Sequence, residues 1–330
     1  MIFMLSLMFS TFISISSNSW MGMWIGLEIN LLSIIPLMSD SNNMMSTEAS
    51  LKYFITQALA SNLILFSLIS MTNLFFISKF NLTMISMIFN MGLLLKMGAA
   101  PLHFWFPEVL EGLNWKLCFL FLTWQKIAPM ILLFYNLNFP LLMNFFIISS
   151  ILISGILGIN QMSIRKIMAY SSINHIAWMI SSMMLFESIW LMYFLIYCFI
   201  TTNLIVMFYI FNIYYFKQLI NCMNKSSWMK IMFSMNFFSL GGLPPFLGFL
   251  PKWLTINMLI ENKMILIASM MVIFTLLTLF YYIRLTLSMI LLSNSTFLFN
   301  FNTPKMYLMF SMNFLTLISL IGCTMIFNWN

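Results

Sequence analysis

The chain has 330 residues, of which 62% are hydrophobic and only 6% are charged, with a net charge of +7. About a quarter of the residues of a soluble globular protein are charged, so this composition excludes an ordinary soluble domain and indicates an integral membrane protein. The scattered cysteines and the two histidines supply no ligand cluster for zinc, haem or iron and sulfur. Because the glycine-rich motifs that cradle phosphates are also absent, we expect no cofactor and no metal in this chain.

Apolar runs separated by turn residues divide the sequence into eleven candidate membrane helices. A helix needs about 20 apolar residues to cross roughly 30 Å of hydrocarbon, and the alternation typical of strands is absent. We place the helices at residues 2–18, 22–38, 51–77, 81–106, 116–136, 140–160, 167–185, 189–216, 229–257, 263–291 and 306–327. The sequence therefore predicts an all-α integral membrane protein, folded as a single membrane domain.

Basic residues are concentrated in the loops that follow the even-numbered candidate helices. Loops after odd-numbered helices carry only Lys79 and Lys263. Loops after even-numbered helices carry Lys52, Lys116, Arg165, Lys166, Lys217, Lys225, Lys230 and Lys305. Because loops on the cytoplasmic or matrix side are enriched in Lys and Arg, we expect the N-terminus on that side and the C-terminus on the opposite side.

Two candidate helices are interrupted by glycine and proline. The fourth is broken at Gly98–Pro101 and the ninth at Gly241–Pro245, where proline removes a backbone donor and kinks the helix. Residues 1–136 and 140–291 then form two five-helix units, each with its break in the fourth helix, and the helix at 306–327 follows them. Because five is odd, the second unit starts on the opposite side, so we expect an inverted repeat. Paired broken helices mark transport sites in membrane transporters; the alternative is a pair of packing kinks.

Four ionisable side chains lie deep inside apolar runs, namely Glu28, Lys96, Lys126 and Lys252. A charge at the bilayer centre costs about 3 kcal/mol or more and usually marks an ion path, a proton relay or a counter-ion. A buried carboxylate and a lysine can redistribute a proton when a neighbouring charge moves, so we expect a proton relay. An inert ion pair is the alternative for Glu28 with one lysine, but one carboxylate cannot neutralise three ammonium groups.

The two histidines and the remaining charges are weaker candidates. His175 lies in the middle of a candidate helix and imidazole titrates near neutral pH, so we include it in the relay; a histidine that only hydrogen-bonds a neighbouring helix is an equal alternative. His103 follows the first break, where it could join a wet cavity or cap loosened backbone. Arg284 is expected to reach the basic membrane surface, and Glu108 and Glu111 are expected in a solvated loop.

Five segments of the sequence carry a resemblance to a known family. They are WIGLEIN at 24–30, LKMGAAPLHFW at 95–105, TWQKIAP at 123–129, RKIMAYSS at 165–172 and GGLPPFLGFLPKW at 241–253. Together they resemble chain 2 of mitochondrial NADH:ubiquinone oxidoreductase, or respiratory complex I, in its animal form. The resemblance runs nearly end to end and is least distinctive beyond residue 292.

The resemblance implies a proton-pumping, antiporter-like subunit in the membrane arm of respiratory complex I, located in the mitochondrial inner membrane. In that membrane, the distribution of basic residues between the loops predicts an N-terminus on the matrix side. The resemblance further implies that Glu28 and Lys96 are the coupled pair of the first unit and that Lys126 is the connecting lysine. Lys252 would exchange protons with the far side, and His175 would join a central hydrophilic axis. These roles give each candidate residue a place in one proton path.

The resemblance also implies partners and cofactors. Neighbouring antiporter-like and small membrane subunits are the expected partners, together with phospholipids such as cardiolipin and without nucleic acid. FMN, the iron–sulfur clusters, NADH and ubiquinone are expected in other subunits, so this chain would hold no redox site. Two alternatives remain open, a stand-alone cation/proton antiporter that uses the same lysines and a structural subunit that does not pump.

Overall fold

The computed structural model of the chain describes residues 1–40, 43–72, 79–223, 227–244, 246–291 and 314. Its fourteen described α-helices are α1 (Ile2–Ser16), α2 (Trp20–Met38), α3 (Met44–Thr72), α4 (Lys79–Met97), α5 (Trp105–Gly112), α6 (Trp115–Leu122), α7 (Trp124–Phe134), α8 (Pro140–Ile159), α9 (Ile164–Met183), α10 (Glu187–Phe211), α11 (Phe216–Met223), α12 (Ser227–Gly241), α13 (Phe249–Glu261) and α14 (Ile265–Leu291). Six stretches of the described chain are long and apolar enough to cross a membrane. The predicted all-α membrane fold is confirmed.

Each of the first ten predicted membrane helices overlaps at least one observed helix. The helices predicted at 81–106 and 229–257 are each divided at their glycine and proline breaks, into α4 and α5 and into α12 and α13. The helix predicted at 116–136 is also divided, at Thr123, whose hydroxyl donates to the carbonyl of Phe119 at 2.7 Å. The helix predicted at 306–327 lies outside the described residues apart from position 314, so the count of eleven membrane helices stays a prediction.

The segment after the first break is a short helix, α5, where the sequence predicted a loop for Glu108 and Glu111, although Glu108 is exposed as expected. Glu108 accepts a hydrogen bond from the ammonium of Lys52 on α3 at 2.7 Å. Lys52 also pairs with Glu48, one turn earlier on α3, at 2.8 Å. The sequence could not reveal this contact, because Lys52 and Glu108 lie 56 residues apart and meet only when α5 packs against α3.

A second short helix, α11, lies between α10 and α12, where the sequence predicted only a loop. Its buried residues are Leu219, Ile220, Cys222 and Met223, whereas Lys217 and Gln218 are exposed. A helix with one apolar and one polar face is typical of a segment that lies in the plane of the membrane interface. The helix follows α10 and carries one basic residue, Lys217.

The chain forms two compact units, Met1–Phe146 and Ile147–Asn330, and their boundary falls inside α8. In the first unit, α1 packs against α2, and α3 packs against both α4 and α5. In the second unit, α12 packs against α14, and α9 packs against α10. The proposed boundaries at 136 and 140 and the inverted symmetry of the two repeats stay predictions.

Helix α9 is buried almost all round, and this burial includes polar side chains. Its buried polar residues are Ser171, Ser172, Asn174, His175, Ser181 and Ser182. A helix that is buried on every side lies inside a protein, and its polar groups then need partners within the protein. Helix α9 therefore brings a polar strip into the interior of the second unit.

Candidate functional site

The two predicted breaks are helix ends with the same cap. At the end of α4, Gly98 has φ +74°, its N–H donates to Leu95, and the N–H of Ala99 donates to Leu94, each at 3.1 Å. This pair of bonds, six-to-one and five-to-two, is the Schellman motif, which favours glycine because its positive φ strains residues with a side chain. The chain then passes through a cis peptide bond between Ala100 and Pro101.

The end of α12 repeats this geometry in the second unit. Gly242 has φ +76°, its N–H donates to Ser239 at 3.1 Å, and the N–H of Leu243 donates to Phe238 at 3.3 Å. A helix end leaves its last carbonyl groups without intrahelical donors. Both breaks therefore present carbonyl oxygens inside the protein, and the two units satisfy these oxygens in different ways.

At the first break, neutral side chains donate to the carbonyl oxygens. The indole N–H of Trp105 donates to Leu95 at 3.2 Å, and the amide of Gln57 donates to the backbone oxygen of Lys96 at 3.5 Å. The ammonium of Lys96 is therefore not needed to satisfy this helix end. It is directed instead toward a carboxylate.

The carboxylate is that of Glu28 on α2. The Nζ atom of Lys96 lies 3.9 Å from Oε1 of Glu28, and the side chains are 4% and 26% exposed, respectively. That oxygen accepts no hydrogen bond from any described residue, so the pair is a loose ion pair. The structure thus brings together two of the sequence-predicted residues, which lie 68 positions apart in the sequence.

Lys126 is the third candidate of the first unit, and its side chain is almost fully buried on α7. Its Nζ atom lies 5.7 Å from the centre of the Phe106 ring, a distance that allows a cation–π interaction. Phe106 also packs against the first break, because a Cβ atom on Gly98 would lie 3.2 Å from Cβ of Phe106. The ring therefore stands beside both Lys126 and the end of the helix that carries Lys96.

An amide pair fixes α2 against α7 next to these charges. Asn30 and Gln125 exchange two hydrogen bonds, of 3.1 Å and 3.0 Å. Asn30 lies two residues after Glu28 and Gln125 lies one residue before Lys126. Because both amides are satisfied, the pair sets the register of the two helices that carry the carboxylate and the connecting lysine.

At the second break, the ammonium of Lys252 itself satisfies the helix end. Its Nζ atom donates to the carbonyl of Gly241 at 2.8 Å and lies 3.5 Å from that of Leu240. A cation is stabilised at this position, because the C-terminal end of a helix carries a partial negative charge. The ammonium also lies 5.7 Å from the centre of the Trp178 ring on α9.

His175 lies on α9, three residues before Trp178, so the two side chains share one face of this helix. Its Nδ1 atom is 2.9 Å from the hydroxyl of Tyr193 on α10, and its ring is 5.0 Å from that of Tyr197. The second unit thus places His175 and Lys252 along the same side of α9, with Trp178 beside the lysine. This is the second group of predicted residues that the fold brings to one region.

A cluster of buried tyrosines near α9 was not predicted from the sequence. The hydroxyl groups of Tyr281 and Tyr282 are 3.5 Å apart, and the full cluster is Tyr193, Tyr197, Tyr281 and Tyr282. Buried phenols normally find hydrogen-bond partners, and here histidine, serine and other phenols surround them. The spacing of Tyr193 and Tyr197 could have indicated this cluster, because residues four positions apart lie on one face of a helix.

The weaker candidates have structural partners. The Nδ1 atom of His103 is 3.3 Å from the carbonyl of Pro101, within the first break, and its ring packs on Phe104. Arg284 on α14 is exposed and donates to the carbonyl of Ile159, at the end of α8. His103 therefore caps loosened backbone, and Arg284 ties two helix ends together.

Comparison with known proteins agrees with this architecture. Residues 17–278 match the family described as "NADH:quinone oxidoreductase/Mrp antiporter, TM". The chain is 46% identical to "NADH-ubiquinone oxidoreductase chain 2" of Anopheles gambiae over 339 residues, which cover 99% of this chain and 97% of that relative.

Two solved structures share the fold at low sequence identity. A chain in "Respiratory complex I from Thermus thermophilus with bound Aureothin" has a TM-score of 0.85 and 20% identity, covering 96% of this chain and 77% of its own length. A chain in "Structure of Mrp complex from Dietzia sp. DQ12-45-1b" has a TM-score of 0.74 and 15% identity, covering 86% of this chain and 59% of its own. Given the family match and the near full-length identity to the insect relative, the chain belongs to the NADH-ubiquinone oxidoreductase chain 2 family.

Proposed function

We propose that the chain is a proton-translocating core subunit in the membrane arm of respiratory complex I, in the mitochondrial inner membrane. Electron transfer from NADH to ubiquinone takes place in other subunits, which hold FMN and the iron–sulfur clusters. This chain couples that reaction to proton movement and contains no redox site of its own. It is part of an enzyme only within the assembly.

The observation that carries the proposal is that the three buried lysines of the described residues each lie at an interruption of a membrane helix. Lys96 precedes the cap at Gly98 by two residues, Lys126 follows the break at Thr123 by three, and Lys252 binds the carbonyl of Gly241. An ammonium inside a membrane keeps its proton only while nearby negative charge or carbonyl dipoles stabilise it. Buried lysines at helix ends can therefore bind and release protons as the local charge changes.

In the first unit, Glu28 and Lys96 act as the coupled pair. Their separation of 3.9 Å makes the charge of each depend on the proton of the other. A change of charge at or near Glu28 lowers or raises the proton affinity of Lys96. Lys126, beside Phe106, then receives the next proton of the relay.

In the second unit, His175 and Lys252 act along α9. The contact between His175 and the hydroxyl of Tyr193 gives the imidazole a hydrogen-bond partner that can accept or donate. Lys252 is the last group of the relay and exchanges protons with the far side. Quinone reduction elsewhere in the complex supplies the electrostatic change that drives these steps.

The chain also has a defined orientation and defined neighbours in the membrane under this proposal. The N-terminus faces the matrix and the C-terminus faces the intermembrane space, in agreement with the distribution of basic residues between loops. Neighbouring antiporter-like and small membrane subunits contact the chain, and phospholipids such as cardiolipin fill its remaining apolar surface. These arrangements can be tested by labelling of termini and by lipid analysis of the assembled complex.

The central experiment replaces Lys126 by methionine in the assembled complex, reconstituted into vesicles. We expect fewer protons to be translocated for each NADH oxidised, measured with a dye that reports the pH gradient. Lys116→Met is the matched control, because Lys116 is exposed on the adjoining helix α6. An unchanged proton stoichiometry in Lys126→Met would overturn the relay and favour a structural subunit.

The second candidate is an independent cation/proton antiporter, and the fold shared with a chain of the Mrp complex favours it. The full chain alone, reconstituted in vesicles, would then exchange sodium or protons without the rest of the complex. We expect no such exchange, since the proposed relay needs an electrostatic change from outside the chain. Autonomous exchange that is lost in Lys126→Met would establish the antiporter instead.

A further inference from the structure

A cavity of about 870 Å³ lies in the second unit, away from the buried lysines. Two cations, Lys217 and Arg284, line it together with the amides of Gln161 and Asn221, and its apolar wall includes Ile220 and Leu285. None of the described residues that line it is acidic. The cavity therefore combines a positive, hydrogen-bonding part with an apolar part.

The walls of the cavity are fixed by backbone hydrogen bonds between two connecting segments. The N–H of Ile164 donates to Tyr214 at 3.0 Å, and the N–H of Phe216 donates to Met162 at 3.2 Å. These bonds pin the α8–α9 connection to the α10–α11 connection. The side-chain oxygen of Gln218 also accepts the N–H of Tyr214 at 2.8 Å. These hydrogen bonds hold the two connecting segments together beside the cavity.

The lengths and composition of the helices around the cavity indicate a position near the lipid headgroups. Helix α14 has 27 residues, or about 40 Å at 1.5 Å per residue, which exceeds the roughly 30 Å of hydrocarbon. Arg284 lies seven residues before its end, close to the short amphipathic helix α11, which supplies Lys217 and Ile220. Amphipathic helices of this kind lie at the boundary between headgroups and acyl chains.

The guanidinium of Arg284 can bind a further oxygen ligand. It has five N–H donors, and the bond to the carbonyl of Ile159 engages Nη2 and holds the side chain in place. Lys217 is exposed at the rim. Two cations at headgroup depth, next to an apolar wall and amide donors, match a ligand with a phosphate and attached hydrocarbon chains.

We propose that this cavity is a binding site for an anionic phospholipid, with its phosphate on Lys217 and Arg284 and its acyl chains against Ile220 and Leu285. The inference specifies a site for the lipids of the proposed function, but it does not depend on the proton relay. Such a lipid would seal the gap between α11 and α14. A free phosphate would use the same two cations but would leave the apolar wall without a partner.

The test uses the assembled complex in lipid discs that contain a small share of photoreactive phosphatidylglycerol, labelled on an acyl chain. We expect crosslinks to peptides of α11 and α14, identified by mass spectrometry. Loss of one positive charge near the surface weakens the attraction to an anionic lipid by about fivefold. Lys217→Gln and Arg284→Gln should each reduce the crosslinked fraction by about this factor, whereas Lys116→Gln, outside the cavity, should not.

Further measurements distinguish binding of an anionic phospholipid from binding of other ligands and from a folding defect. Arg284→Lys keeps the cation and should keep most of the labelling, even if Arg284→Gln disturbs the end of α8. Photoreactive phosphatidylcholine, which has no net charge, should label these peptides less than phosphatidylglycerol does. Equal labelling by both lipids, unchanged labelling in the Lys217 and Arg284 variants, or competition by inorganic phosphate as strong as that by unlabelled phosphatidylglycerol at constant ionic strength would each overturn the proposal. Proton translocation is measured separately, so failure of the relay and failure of the lipid site are distinguishable.

Discussion

The Nζ atom of Lys252 lies 2.8 Å from the carbonyl oxygen of Gly241, although the two residues are eleven positions apart in the chain. The lysine therefore closes the break between α12 and α13 by binding the end of the preceding helix. This contact gives Lys252 two separable roles. It stabilises a helix end through its charge, and under the proposed function it also exchanges a proton.

Substitution of Lys252 should separate these roles. Lys252→Met leaves the carbonyls of Gly241 and Leu240 without the ammonium, so we expect the complex to lose about 1 to 3 kcal/mol of stability as well as proton translocation. Lys252→Arg keeps a cation that does not deprotonate in proteins, so it should retain more of the stability but still not translocate protons. Thermal denaturation and the proton-to-NADH ratio measure the two effects. Normal pumping by Lys252→Arg would exclude proton exchange at this residue.

Adjacent glycines at the same break should respond differently to alanine. Gly242 has φ +76°, and a Cβ atom there would lie 2.8 Å from Cδ of Lys252, so we expect Gly242→Ala to cost about 1 to 2 kcal/mol from backbone strain alone. The added Cβ atom should also displace the ammonium of Lys252 from the carbonyl oxygen of Gly241. Gly241→Ala is the matched control, because its nearest contact would be 3.6 Å. The amount of assembled complex and its melting temperature measure the difference, and equal values for the two variants would contradict this account of the cap.

The sequence predicted the breaks because glycine and proline act locally. Gly98 and Gly242 end their helices through their own backbone geometry, so no knowledge of distant packing was needed. The break at Thr123 was missed because threonine, unlike glycine or proline, is not a strong local signal. The direction of the Lys252 side chain could not be predicted either, since it depends on how α13 folds back toward the end of α12.

Charge predicted one contact between distant segments without naming both partners. The cost of burying a charge alone favoured a contact of Glu28 with one of the lysines, and the family resemblance implied Lys96; the structure shows this pair at 3.9 Å. Nothing in the sequence demanded that Tyr193 contact His175, since a phenol is tolerated at many buried positions. The same limit applies to Lys52 and Glu108, whose contact depends on the packing of α5 against α3.

Removal of the Tyr193 hydroxyl should impair the relay while leaving the packing of α9 and α10 intact. Tyr193→Phe removes the partner at 2.9 Å from Nδ1 of His175 without changing the ring, so we expect the stability of the complex to change by about 1 kcal/mol. We expect the number of protons moved per NADH to fall. Tyr209→Phe, an exposed position on the same helix, is the control. A Tyr193→Phe complex that pumps like the control would show that His175 does not need this hydroxyl.

The ion pair of the first unit can be tested by a double-mutant cycle in the assembled complex. Glu28→Gln leaves the ammonium of Lys96 buried without its carboxylate, and Lys96→Met leaves the carboxylate without its ammonium. Because the two groups are 3.9 Å apart, each single change should lower proton translocation, and the double variant should be little worse than either single variant. Residues in direct contact commonly show coupling of about 0.5 to 3 kcal/mol.

The matched control cycle combines Glu28→Gln with Lys116→Met, which removes an exposed lysine of α6. Its effects should be additive, because Lys116 is an exposed charge for which no ion pair with Glu28 is expected. Rates of proton translocation and of NADH oxidation are measured for every variant, so that loss of coupling is distinguished from loss of assembly. Additive effects of the Glu28 and Lys96 changes would mean that their separation of 3.9 Å carries no functional coupling. The relay in the first unit would then have to pass through other groups.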